Sequence, residues 1–157
     1  MMFERCHTTS EVAGIYRRIG FTTVSCMSDR VSLIAAPSLG AVAMPPTVGA
    51  RVRDQLVSQH RCKSTPILTH RGPDRSWVFL VGPAWGRTMT PATMNTLATQ
   101  GLRVLVAGQR IWLPMTDHPI GWRWLSPPID VASLPARTTV IAAARQHLGP
   151  LPRSASR

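Results

Sequence analysis

The sequence predicts an α+β fold: an antiparallel or mixed sheet built from hairpins, with helices packed mainly on one face. Three observations carry this. Short apolar runs of β type alternate with stretches of helical periodicity, several of the runs lie close enough to pair as hairpins, and 157 residues are enough for one substantial core. Apolar residues make up 44% of the chain, which suits a globular protein.

Thr8 and Glu11 have capping-box spacing, and Val12, Ile15, Tyr16 and Ile19 would share one face of a helix over 8–19, ended by Gly20. So short a helix is marginal alone, so residues 1–28 are expected to be an N-terminal arm or a docked helix. Residues 29–149 are expected to form a single α+β domain. Val31–Ala35 and Ala41–Met44 are β-type runs around a Pro-Ser-Leu-Gly turn signal, forming a hairpin or one bent strand. Pro46 then suits the first turn of a helix over 47–59, striped by Val48, Val52 and Leu56.

Pro66–His70 and Ser76–Val81 predict the two strands of a central hairpin, joined by Arg71-Gly72-Pro73-Asp74-Arg75. Thr90 and Pro91 predict the N-cap and first residue of a helix ending at Gly101. Leu102–Val106 and Arg110–Leu113 predict a further hairpin, and Gly121–Leu125 one more strand. Ser133 is the expected cap of a final helix running to Leu148, with Leu134, Ile141, Ala144 and Leu148 on its stripe. The Pro-containing segment 150–157 predicts a flexible basic tail.

Composition narrows the function. Eighteen basic residues face seven acidic ones, a net charge of +11, which favours a polyanionic partner, DNA or RNA. Only Lys63 is lysine, and arginine with abundant Ala, Gly, Pro and Val is also what a high-GC genome writes. Cys6, Cys26 and Cys62 are odd in number and widely spaced, so neither a disulfide framework nor a four-ligand zinc site is expected, and a cytoplasmic location fits. No cofactor motif is present. Lys63-Ser64-Thr65 lacks the glycines of a phosphate loop. The most apolar stretch, 31–48, is broken by Pro37, Gly40, Pro45 and Pro46, so no membrane partner is expected.

The carboxylates Glu4, Glu11, Asp29, Asp54, Asp74, Asp117 and Asp130 never fall in the D-x-D spacing that puts two acids on one strand face for metal-assisted phosphoryl transfer. Each is expected on the solvated surface. Trp77 and Phe79 alternate on one strand, as do Trp122 and Trp124. Aromatics on a sheet face beside arginines can stack bases, and large aromatics also fill cores. Core is the expectation for Phe79 and Trp112. Both roles stay open for Trp122 and Trp124. With Arg71, Arg75, Arg110 and Arg123, these two tryptophans are the candidate nucleic-acid contacts.

The succession of a strand, a Gly-containing turn, a strand with Trp77-Val78-Phe79, a helix and the run LRVLVAGQRIWLP resembles the N-terminal domain of bifunctional DNA primase/polymerases, in particular the shortened relatives of high-GC actinobacteria, over about 31–128. The resemblance implies an RRM-like core, metal-binding acids on an early strand and a small-x-His motif on the second strand of the central hairpin. Carried onto this chain, the motif falls at Arg75-Ser76-Trp77, where Trp77 replaces the histidine, and the early run 31–36 holds no acid. The resemblance therefore implies a catalytically degenerate member, with no catalytic residue and no bound metal. Three functions remain: a non-catalytic primase/polymerase-like module binding nucleic acid or a replication-associated partner; a small regulatory or protein-interaction domain, binding a protein partner or forming a homodimer; and an enzyme using His70, His118 or a cysteine.

Overall fold

A computed structural model describes residues 1–59, 65–72, 75–83, 89–119 and 121–149. The Pro73-Asp74 turn, His60, Cys62, Lys63 and the segment 150–157 lie outside the described residues, and with them the readings placed there.

Helix α1 (Thr9–Arg18) begins with the expected capping box: Thr8 Oγ1 accepts from the Glu11 N–H at 3.2 Å, and Glu11 Oε2 accepts from the Thr8 N–H at 2.9 Å. It ends at Gly20, whose φ of +100° is in the left-handed region and whose missing Cβ leaves room for Val131. The Val131 N–H donates to the Ile19 carbonyl at 2.9 Å, closing that contact. The chain then makes a strand absent from the sequence reading, β1 (Val24–Met27), which pairs antiparallel with β2 (Arg30–Ile34) around Ser28-Asp29.

β3 (Gly40–Met44) leads to helix α2 (Pro46–Ser58). β4 (Ile67–Thr69) and β5 (Trp77–Val81) form the central hairpin, and helix α3 (Pro91–Thr99) follows with Thr90 as N-cap. Next come β6 (Arg103–Leu105), β7 (Arg110–Trp112) and β8 (Arg123–Ser126). A 3-10 turn, Val131–Ser133, precedes helix α4 (Arg137–His147). The last helix therefore starts later than Ser133. Pro135 lacks an N–H and bars Leu134 from helical backbone (φ −63°, ψ 137°), and Ser133 instead donates its N–H to the Asp130 cap at 2.7 Å.

The strands form two sheets, β1-β2-β7 and β6-β3-β5-β4-β8, with every ladder antiparallel. Within the larger one, β3-α2-β4-β5-α3-β6 runs as a β-α-β-β-α-β unit, with its fourth, first, third and second strands side by side. The expected second hairpin corrects to a corner. Its turn closes through Gln109 N–H to the Val106 carbonyl at 3.1 Å, but β6 pairs with β3 and β7 with β2. β2 and β3 behave alike: Ala36 and Leu39 exchange backbone bonds, and the two strands then part into different sheets. Chain segments that switch sheets at a bend are how stacked sheets make corners.

Both faces of the larger sheet are covered, which is why β3 and β5 are buried along their whole length. Val42, Met44, Ile67, Trp77, Phe79, Val81 and Val104 pack against α2, α3 and α4. Ala41, Ala43, Leu68, Val78 and Leu80 face the smaller sheet and α1, with Val31, Leu33, Ile111, Tyr16 and Phe21. The expected core role of Phe79 is met, since it is wholly buried. Residues 1–28 dock on this second layer. The buried Tyr16 hydroxyl donates to the Pro114 carbonyl at 2.6 Å and accepts from Trp124 Nε1 at 3.0 Å, and burial pushes its phenol up, so it stays protonated. Asp117 is not merely solvated: its carboxylate accepts from the Met2 and Phe3 N–H groups and holds the N-terminus. No described helix is long and apolar enough to cross a membrane.

Candidate nucleic-acid interface

The register of the larger sheet brings Arg103, Ala43, Val78, Leu68 and Trp124 into one row, on the face away from α2 and α4. The smaller sheet leaves one end of that face open. There a cleft of about 460 Å³ has Ala43, Val78 and Ser76 as its floor, and His70, Arg75, Arg103 and Trp122 around it. That volume lies in the range of small-ligand sites, roughly 300–1,000 Å³. The alanine and valine keep the floor low, and among the described residues no carboxylate lines the cleft.

Arg103 opens β6 and Arg75 precedes β5, both exposed. His70 Nδ1 lies 3.1 Å from the Arg71 carbonyl oxygen, which can only accept, so Nδ1 is the donor of that bond and the ring's orientation is fixed by it. The His70 ring sits against Trp122, with centroids 4.6 Å apart and planes tilted by 55°. The site thus combines two guanidiniums, an imidazole and a half-buried indole: donors for an anion and a surface for a planar group.

A second aromatic-basic group lies on the outer face of the smaller sheet. Arg110 Nη1 donates to Ser32 Oγ at 2.9 Å, and its guanidinium stands 5.4 Å from the Trp112 ring centre. Arg30 approaches the same ring to 5.6 Å. Trp112 is half-buried on this outward face, not in the core as expected, because strand alternation sends Ile111 and Leu113 inward and Trp112 outward. A concavity of about 170 Å³ lies between Trp112 and Trp122, so Trp122 lines both it and the cleft.

The sequence candidates are therefore divided. Arg75 and Trp122 come together in the cleft, and Arg110 joins Trp112. Arg71 is exposed on the hairpin turn, and its carbonyl orients His70. Arg123 and Trp124 line a separate concavity with Asp117, and the Trp124 indole is engaged by Tyr16. Trp77 faces the helices, packed on Gly49, with Arg53 5.4 Å from its ring centre. Sequence reasoning did not single out Arg103, which lines the cleft, or Arg30, which approaches Trp112. The one charge inside the apolar run Leu102-Arg103-Val104-Leu105-Val106 was the available signal for Arg103.

Among the described residues the one ion pair is Arg53–Asp54, so Arg30, Arg75, Arg103 and Arg110 have no carboxylate partner there. Among the same residues no three of His, Cys, Asp and Glu lie together as metal ligands would. Of the residues weighed for an enzyme, His70 lines the cleft, His118 is exposed, and Cys6 lines a broad concavity of about 800 Å³ beside α1. Comparison with family models, with curated proteins and with solved structures finds no match.

Proposed function

We propose that the protein is a non-catalytic, primase/polymerase-like module that binds nucleic acid through the cleft between Arg75, Arg103, His70 and Trp122. The observation that carries the reading is two arginines, with no carboxylate partner among the described residues, that line one cleft with a half-buried tryptophan on the open end of a sheet face. Phosphates would meet Arg75 and Arg103, and a base would rest on Trp122. The β-α-β-β-α-β order supports an RRM-like core. It differs from an ordinary RRM surface in its middle, where Ala41, Ala43, Val78 and Leu80 offer no aromatic on that face. Stacking therefore falls to Trp122 at the side. The free thiols of Cys6 and Cys26 suit a reducing, cytoplasmic setting.

Fluorescence polarisation with labelled single- and double-stranded oligonucleotides at 50 and 200 mM salt tests the reading. Binding is expected at low salt and falls steeply at the higher one, as counterion release requires. Trp122→Ala is expected to weaken it by about 1–3 kcal/mol, the usual worth of one stacked base. Absence of binding at low salt would sink the proposal.

A regulatory or protein-interaction role has one observation in its favour. Among the described residues β1 pairs only with β2, and Met27 at its end is 48% exposed, which leaves a sheet edge for a protein partner or a second copy. Light scattering that finds a dimer, together with no oligonucleotide binding, would select this reading.

A further inference from the structure

The Arg30–Trp112–Arg110 group is held by two cation–π contacts and one hydrogen bond, with no carboxylate partner among the described residues. Arg30, Ser32, Arg110 and Trp112 share the outward face of the smaller sheet, where Ser32 lies directly opposite Trp112 in register. Arg110 precedes Trp112 by two residues on β7, and Arg30 lies beyond Ser32 in the other direction on β2. The two guanidiniums therefore approach the indole from opposite ends of the ladder. Ser32, wholly buried, fixes Arg110. Ordering two arginine side chains costs rotamer entropy, and no carboxylate among the described residues rewards it. Two guanidiniums gathered on one indole, one of them hydrogen-bonded to Ser32 and neither with an acid among the described residues, leave their donors available to anions from outside.

We infer that this ladder is a second subsite for the same ligand, and that the ligand is a single strand of nucleic acid running from the cleft past Trp122 to Arg30 and Arg110. The inference rests on the nucleic-acid reading of the cleft. Trp122 is the shared wall that makes the two places adjacent. The inner face of the smaller sheet packs on the larger one, so its outer face stands one layer, about 10 Å, above the cleft floor. A duplex, with a persistence length near 150 base pairs, does not climb such a step over a few nucleotides, whereas a single strand does. Arg30 and Arg110 contact the phosphates, and Trp112 is a positioning residue that holds them.

The test is polarisation with fluorescent oligothymidylates of three and twelve nucleotides, a twelve-base-pair duplex and a twelve-residue polyglutamate peptide. Arg30→Ala and Trp112→Ala are expected to weaken the twelve-mer about ten-fold, and the trimer by less than two-fold. Arg30→Ala is also expected to lower the salt slope by about one. Trp112→Phe keeps a ring for the guanidiniums and restores most of the affinity, which a merely structural loss would not show. Arg103→Ala weakens both lengths. If Arg103→Ala weakens both but neither ladder variant affects the twelve-mer, the second subsite is wrong and the cleft stands. If Arg103→Ala changes neither, the cleft reading itself fails. A duplex bound as tightly as the single strand overturns the strand claim, and polyglutamate bound with the same variant losses overturns the choice of nucleic acid.

Discussion

At the residue scale, space and hydrogen bonding decide more than residue type. A Cβ on Gly49 would stand 2.8 Å from Cε3 of Trp77, a side chain wedged between α2 and β5, whereas nothing lies within 4 Å of a Cβ on Gly14. Both glycines sit inside helices, where alanine is intrinsically better by about 1 kcal/mol. At Gly49 the overpacking cost, about 1–3 kcal/mol, exceeds that gain. Gly14→Ala is therefore expected to raise the melting temperature and Gly49→Ala to lower it, by roughly 2–4 °C per kcal/mol for a chain of this size. Glu11 gives a pH dependence. The His7 and Thr8 N–H groups hold its carboxyl below the ordinary value. Its contribution is thus present above the unfolded carboxyl's pKa and lost as pH falls through the lower, folded one. Thermal melts between pH 6 and 2 should show an acid loss that is smaller in Glu11→Gln.

At the scale of elements, the readable features were those written locally. Thr8 with Glu11, Pro46, Thr90 and Pro91 place helix starts correctly, because capping and proline act within one turn. β1 was unreadable, since Val-Ser-Cys-Met has one β-branched residue and its turn is Ser-Asp, not Asn-Gly. Ser28 nevertheless takes φ 49°, the left-handed backbone that glycine prefers. That conformation costs a non-glycine residue about 1–2 kcal/mol, partly offset by the extra chain entropy of glycine, about 0.5–1 kcal/mol. Ser28→Gly is expected to stabilise the β1–β2 hairpin by up to about 1 kcal/mol in urea titration, and Ser28→Val to destabilise it. The division into two sheets was equally hidden. Turn signals around 37–38 and 107–108 say that the chain reverses, but which strand receives each arm depends on distant partners.

At the scale of the molecule, an excess of arginine became a placed one. Charge and the tryptophan spacings pointed to Arg75, Arg110 and Trp122. They did not reveal that Trp124 would bond to Tyr16, since those residues are 108 apart in sequence. Nor did they show Arg103 lining the same cleft as Trp122, which follows only from the pairing of β6 with β3 and the cover of the smaller sheet over the rest of that face. The resemblance drew attention to Trp77 as a missing histidine. In the fold that position faces α2, so the open surface and the side chains of Trp77 and Phe79 lie on opposite sides of the sheet. A binding role for the uncovered end does not depend on that motif.

The salt dependence of single-strand binding, measured for the wild type and Arg103→Ala with one fluorescent twelve-nucleotide strand between 25 and 300 mM salt, tests the cleft most directly. The wild type is expected to give a linear fall of log affinity with log salt, and Arg103→Ala a slope shallower by about one, with weaker binding at every salt. Identical lines for the two proteins, or no binding at 25 mM, would contradict a nucleic-acid role for the cleft.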